Sequence, residues 1–542
     1  MTAAADLVLL DGEVHTLASP DGDGPIVASR SSADADETHE AVAVRDGDIV
    51  RVGKTTEIEH LRGVETDVVD CEGRVVLPGF VDAHTHMETL GLYLVHADLS
   101  EAGSLADALD ALARQAETDR EWILGFGYDE SEWSESRYPT RDDLDSVSEE
   151  RPVVAMRVDM HTASLNSVAI DRLVDDLPPE DVRTEGGEPT GIVVEDAATQ
   201  VWSGSEDSDA ETRELVTAAI ERATSLGVTC VHEKVRHSRA PRIYRELDRD
   251  GELDCRVRLD YWSDHLESAI DVGLATNAGS DFVETGAIKS FTDGSIGART
   301  AKVSEPYADL PDAAESSRSG ESGASDDESA DPRGQWVVDP DELASIADEA
   351  AANDYQLTVH AIGDEAIGAA VDVLAETQNA DAARHRIEHV ELATDHHLEQ
   401  MAEAGIVASM QPNFHQWARP GGLYDQRLGE DRRERSNRLS DALEAGVPLA
   451  LGSDCMPLDP LGGIHHAVTA PMDCQRLSVT EAVRGYTIGA AYAGFDEDRL
   501  GTIEVGKCAD LVVLEESPWE NPERIDEIDV ATTIVDGDVV YR

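Results

Sequence analysis

The strongest chemical signal in the chain is the run Pro78-Gly-Phe-Val-Asp-Ala-His84-Thr-His86. Side chains alternate with period two along an extended segment, so His84 and His86 face the same way. Two imidazoles at one strand end form a ready chelate for a metal ion. A lone His-X-His is weak evidence, because paired core or surface histidines are common. Further donors strengthen it. His360 closes QLTVH, His389 closes RIEH, Asp454 follows PLALGS and Lys289 sits within GAIKSF. The four imidazoles and the carboxylate each stand at the C-terminal end of a predicted parallel strand. Strands closed into a barrel bring those ends together at the face where such barrels hold their active sites. Imidazole and carboxylate together suit zinc and other borderline divalent ions.

The elements that must position these groups follow from apolar runs and turn signals. Eight strand candidates are Val75–Asp82, Val228–His232, Arg256–Tyr261, Ala287–Phe291, Gln356–His360, Arg386–His389, Ile406–Met410 and Pro448–Gly452. Helix-like segments separate them, which predicts an α/β fold, a TIM (β/α)8 barrel, over 75–494. A stretch over 90–205, with strands near Trp122–Phe126 and Val153–Val158, reads as a subdomain inserted after the first barrel strand. It would roof the active-site end. Both ends of the chain are β-rich with DG and G turns, and 1–74 plus 495–542 predict one composite β-sandwich domain. Two segments, Ser19–Glu40 and the acidic stretch 312–334, lack apolar periodicity and read as flexible, solvated loops.

Composition constrains the partners. The 542 residues carry 113 acidic and 43 basic side chains, a formal net charge of −70. Such a surface repels nucleic acid and anionic lipid, so neither is an expected partner. Only five residues are lysine: Lys54, Lys234, Lys289, Lys302 and Lys507. Acidic excess with arginine in place of lysine suits concentrated salt, where the Debye length falls to about 3 Å at 1 M and self-repulsion is screened. No apolar run is long enough to span a membrane, and the first residues lack a basic signal region. Six scattered cysteines without CxxC spacing fit reduced thiols, so a cytoplasmic location is expected.

Over nearly its whole length the chain resembles the amidohydrolase superfamily, in its family 3, YtcJ-like branch, which includes N-substituted formamide deformylases. The motifs that carry the resemblance are LPGFVDAHTHM, RVDMHTASLNSVAI, TGIVVEDA, GVTCVHE, IKSFTDGSIGART, TVHAIGDEAI, RIEHVE, SMQPNFH, LGSDCMP, TIGAAYA and LGTIEVGKCADLVVL. The acidic stretch at 312–334 is the main departure from the family pattern. The resemblance implies that His84 and His86 bind one metal with Asp454 beside it, and that His360 and His389 bind at a second position. Lys289 is similar to the lysine that bridges two metals as an N-carboxylate in many members. A Lys289 ammonium serving as a plain charge or substrate contact would instead leave a single-metal site. One or two divalent ions, zinc for preference, are therefore expected as cofactor.

The implied reaction is hydrolysis of a non-peptide C–N bond, in an amide or N-substituted formamide, by a metal-activated hydroxide. Asp454 would be the catalytic proton shuttle. His161, on the insertion, and His232, at a predicted strand end on the same rim, are candidate substrate-binding groups. Arg157 and Asp364 match family motifs and would organise the pocket. His396–His397 and His465–His466 lie on predicted helices, where adjacent side chains point apart, so neither pair is expected to hold metal. A deaminase of the same superfamily is the alternative enzyme. Deaminase sites usually place Glu three residues after the fifth-strand histidine, whereas Gly363 stands there after His360. A non-catalytic regulatory paralogue is the alternative from another class, and the intact donor set argues against it. The partner expected is a small-molecule substrate, and the composite sheet domain could support a homodimer.

Overall fold

A computed structural model of the chain describes residues 4–18, 38–175, 177–205, 208–310 and 331–542. The two low-complexity segments lie outside these residues except for 38–40 and 331–334. The chain divides into two compact units, one formed by Met1–His86 with Arg222–Arg542 and the other by Met87–Glu221.

The first unit contains an eight-stranded, near-closed parallel barrel. Its strands are β1 (Phe80–Thr85), β2 (Val228–Val235), β3 (Arg256–Trp262), β4 (Val283–Phe291), β5 (Leu357–Ala361), β6 (Arg386–His389), β7 (Val407–Met410) and β8 (Leu449–Leu451). They pair in chain order. Helices such as Ala240–Asp250, Pro340–Ala352, Asp364–Glu376, Asp395–Ala404 and Leu439–Ala445 return the chain between successive strands. At the seam between β8 and β1, Ser453 N donates to Asp82 Oδ1 (3.0 Å) and Asp454 N to His84 O (2.8 Å).

The run expected as one strand, Val75–Asp82, is two. Val75–Pro78 pairs antiparallel with Leu511–Leu514, and the barrel strand begins only at Phe80. The break falls at Pro78-Gly79. Proline offers no N–H to continue a ladder, Gly79 N donates instead to Asp510 O, and Phe80 N turns to Gly227 O. A Cβ at Gly79 would lie 2.3 Å from the Thr229 side chain, so the chain crosses there only as glycine.

Barrel interiors of this type are usually filled by branched aliphatic residues. Here the strands send charge inward. Lys234, Asp260, Arg386 and Glu388 have side chains with 0% exposure. Lys234 Nζ meets Asp260 Oδ2 at 2.7 Å and also donates to Ala83 O (3.0 Å). Each charge has a partner, which is the condition for burying one.

Two further sheets belong to this unit. One has four strands: Asp48–Gly53, Ala41–Arg45, Ala5–Leu10 and Arg62–Asp70. The other has six and draws on both ends of the chain: Asp538–Tyr541, Val530–Val535, Leu511–Leu514, Val75–Pro78, Glu13–His15 and Thr38–His39. Leu7, Leu9, Val42 and Val44 of the first share one buried cluster with Val14, Val76, Leu511, Val513 and Ile534 of the second.

The second unit is larger than the expected 90–205. Its mixed sheet runs Val182–Glu185, Glu188–Val194, Thr162–Leu165, Val153–Arg157, Ile123–Tyr128 and Ala97–Asp98. Both faces are covered. Leu124, Phe126, Val154 and Met156 enter one cluster, Ile123, Val153 and Ala155 the other. Among the described residues, no helix is long and apolar enough to cross a membrane.

Candidate metal centre

The end of β1 and the residues after β8 bring His84, His86 and Asp454 together. One donor atom from each lies within 4.8 Å of the others, and no other described group of three or more metal-ligating side chains does this. Asp454 Oδ1 stands 3.2 Å from His86 Nε2 and 3.5 Å from His84 Nε2. Burial pushes the His84 imidazole well below its ordinary pKa, against the pull of Glu388 and Asp454, which leaves it a neutral donor. Burial opposes the charge of Asp454 too, but His84, His86 and His389 beside it hold its carboxyl well below the usual range.

Backbone geometry marks the same residues. Asp454 (φ 57) and Cys455 (φ 55) are left-handed, as are His389 (φ 73) and Val390 (φ 55) at the end of β6. A positive φ is rare for ordinary residues and exceptional for a β-branched one such as Val390. Such strain, roughly 1–3 kcal/mol per residue, persists where the surrounding structure enforces it, and it concentrates at functional sites.

His389 extends the row of histidines, its ring centroid 5.0 Å from His84 and 4.5 Å from His360. His360 stacks on Phe291 (4.4 Å), and its Nε2 lies 3.1 Å from Gly294 O and 3.5 Å from Asp293 Oδ1. It therefore stands in the row, but that nitrogen is turned to the backbone. Lys289 is 1% exposed, and its Nζ has no hydrogen-bond partner among the described residues. The amine lies 4.8 Å from the Phe291 ring centroid, and burial lowers its pKa to about 7. An unpartnered amine inside the barrel, beside neutral imidazoles and an ionised carboxylate, is a donor set that fits a divalent ion.

Sequence reasoning missed Glu388. It is fully buried next to His389, with Oε2 2.6 Å from His84 Nδ1. Arg386 Nη2 reaches its other oxygen at 2.8 Å, and the Thr358 hydroxyl donates to that oxygen as well. Burial alone would favour the neutral acid, but Arg386, Lys234 and His84 hold the Glu388 carboxyl well below its ordinary value. The available signal was Arg386 and Glu388 alternating on one of eight predicted barrel strands.

The remaining candidates have partners of their own. His232 was expected at a strand end on the rim, but β2 continues to Val235, and the His232 side chain is fully buried. Its Nδ1 accepts a hydrogen bond from Arg386 Nη1 at 2.8 Å. Asp364 opens the helix after β5, where Oδ1 accepts Ser304 N at 2.9 Å and Oδ2 the Ser304 hydroxyl. Arg157 and His161 belong to the second unit. There Arg157 pairs with Glu130 (2.8 Å), Asp159 (2.6 Å) and Asp129 (3.1 Å), and exposed His161 meets Glu195 at 3.2 Å. His397 forms a reciprocal capping box with Thr394, and His465 pairs with Asp526 at 3.0 Å.

Residues 67–541 match the amidohydrolase family. The Bacillus subtilis (strain 168) protein YtcJ is 28% identical over 532 residues, covering 93% of this chain and 96% of its own. An N-substituted formamide deformylase of Arthrobacter pascens is 26% identical over 578 residues, covering 100% and 99%. A crystal structure of an uncharacterized metal-dependent hydrolase from Pyrococcus furiosus superposes with a TM-score of 0.76 at 28% identity, covering 94% of this chain and 99% of that one. With the match spanning most of its length, the chain belongs to the amidohydrolase family.

Proposed function

We propose that this protein is a metal-dependent hydrolase that cleaves a non-peptide C–N bond in an amide or N-substituted formamide. The observation that carries the reading is the convergence of His84, His86 and Asp454 at the mouth of the barrel. The Arthrobacter formamide deformylase, similar over its full length, supports the bond type. His84, His86 and Asp454 would hold one divalent ion, with Lys289, His389 and His360 available to a second. When bound, such an ion supplies Lewis acidity at the scissile carbonyl and acidifies water from a pKa of 15.7 to roughly 7 for zinc. Asp454, ionised and beside His86, accepts the proton of the attacking water. It then returns that proton to the departing nitrogen. His84 and His389 are buried and neutral, so their lone pairs are free to bind metal.

The test is metal analysis of the native protein in molar salt, with hydrolysis of N-substituted formamides and N-acyl amines assayed with added zinc or manganese. About one to two ions per chain and turnover abolished in His84→Ala are the expected results. A stably folded native protein that neither contains nor takes up a divalent ion would overturn the reading.

A further inference from the structure

His84 has two ring nitrogens, and only one of them faces Asp454. Nε2 lies 3.5 Å from Asp454 Oδ1, while Nδ1 lies 2.6 Å from Glu388 Oε2. Glu388 is sealed in the barrel, its second oxygen accepting a hydrogen bond from the Thr358 hydroxyl and lying 2.8 Å from Arg386 Nη2 in an ion pair. Arg386 is itself fixed. It donates to Ala83 O (2.6 Å), Ser409 Oγ (3.1 Å) and His232 Nδ1 (2.8 Å). The neighbouring carboxylate, Asp260, lies 4.0 Å from Arg386 but is engaged at 2.7 Å by Lys234. Arg386 therefore serves Glu388, and the carboxylate beside a guanidinium is ionised. An ionised carboxylate only accepts hydrogen bonds, so the proton between Glu388 and His84 sits on Nδ1.

We propose that Glu388 is the positioning residue of the centre: it fixes His84 as the Nδ1–H tautomer and leaves the Nε2 lone pair for the metal. The inference rests on the metal-binding reading above. Carboxylates behind ligating histidines act this way in general, and their loss costs about 10–100-fold in metal affinity. Thr358 and Arg386 give Glu388 a single orientation, so the ring of His84 is held in plane as well as in tautomer. In Glu388→Gln, Arg386 would compete for the amide oxygen and turn the amide nitrogen toward His84. That would force the ring proton onto Nε2.

The test uses the full chain and cobalt(II) as the probe, with affinity read by chelator competition. Glu388→Gln is expected to weaken cobalt(II) binding about 10–100-fold. Asp260→Asn disturbs the same buried charge layer without touching His84. It is expected to lower the urea midpoint while leaving cobalt(II) affinity within about twofold of wild type. Glu388→Gln binding cobalt(II) as tightly as wild type would overturn the proposal and leave the metal reading standing. Wild-type protein that does not bind cobalt(II) would overturn both. Should Glu388→Gln fail to fold, the long-range proton–nitrogen-15 spectrum of metal-free wild type decides, with His84 identified by its loss in His84→Asn. An Nδ1–H ring supports the assignment, and an Nε2–H ring overturns it.

Discussion

Lys234 Nζ lies 2.7 Å from Asp260 Oδ2 with both side chains sealed in the barrel, and this pair separates the barrel's two inward lysines chemically. Lys234 is an ammonium committed to a carboxylate. Among the described residues Lys289 has no such partner, and burial lowers its pKa to about 7, so a large share of it is a neutral amine near neutrality. A neutral amine nitrogen can add to carbon dioxide, forming an N–C bond and releasing one proton. The expected outcome is a single carbamate carbon resonance when the protein is equilibrated with carbon-13 bicarbonate and zinc. It should vanish in Lys289→Ala. No resonance in a zinc-loaded, active wild type would show that Lys289 acts as a simple amine.

Asp454 lends itself to a clean substitution. Its left-handed backbone (φ 57) is one that asparagine tolerates well, so Asp454→Asn should fold. The amide keeps the shape of the side chain but cannot accept a proton. Loss of a positioned acid–base group typically costs about 10²–10⁴-fold in rate. The expected result is a fall of that size in kcat with the circular dichroism spectrum unchanged. Turnover within threefold of wild type would remove Asp454 from the proton-transfer role.

Much of the barrel was legible because parallel strands buried on both faces read as apolar runs. The grouping of His84, His86 and Asp454 was legible because these residues stand where such runs end. What escaped has physical causes. The run VVLPGFVD is apolar throughout, so only Pro78-Gly79 marks where it leaves one sheet for another. Glu388, Arg386, Lys234 and Asp260 look like surface charges in a chain with 113 acidic residues, and the contacts of Glu388 with His84 and of Lys234 with Asp260 join residues far apart in sequence. His232 was misplaced by the three residues that β2 runs beyond it.

Arg256 and Asp510 join the start of β3 to the segment before the strand Leu511–Leu514 through two contacts, Nε to Oδ2 at 2.8 Å and Nη2 to Oδ1 at 3.0 Å. Both side chains are 4% exposed. Asp281 O (2.8 Å) and Asp536 Oδ1 (2.9 Å) take further guanidinium protons. Removing one partner of a buried pair strands the other, at a cost of about 3–5 kcal/mol. Asp510→Ala should therefore lower urea stability by about that much. Salt screens buried pairs little, so the loss should persist from about 0.15 M to 1 M sodium chloride. A loss that disappears in molar salt would mean the pair behaves as a surface contact.

Asp143 supplies a pH test within the second unit. Its carboxylate takes hydrogen bonds from Arg137 Nη1 (2.7 Å) and Nη2 (3.0 Å), Thr140 N (2.8 Å) and Thr140 Oγ1 (2.6 Å), closing a capping box at helix Arg141–Asp145. Partial burial works against the charge, but these donors outweigh it and bring the pKa from 3.8 to about 2. The folded pKa lies below the unfolded one, so the stabilisation is complete above the unfolded value. It is lost as pH falls toward the folded value. Asp143→Asn should therefore cost about 1 kcal/mol at pH 7, discounted for the half-exposed Arg137. The difference from wild type should shrink between about pH 4 and pH 2. Urea titrations of both proteins at pH 7, 4 and 2.5 measure it. A difference that stays constant down to pH 2.5 would show that the charge of Asp143 contributes nothing beyond its shape.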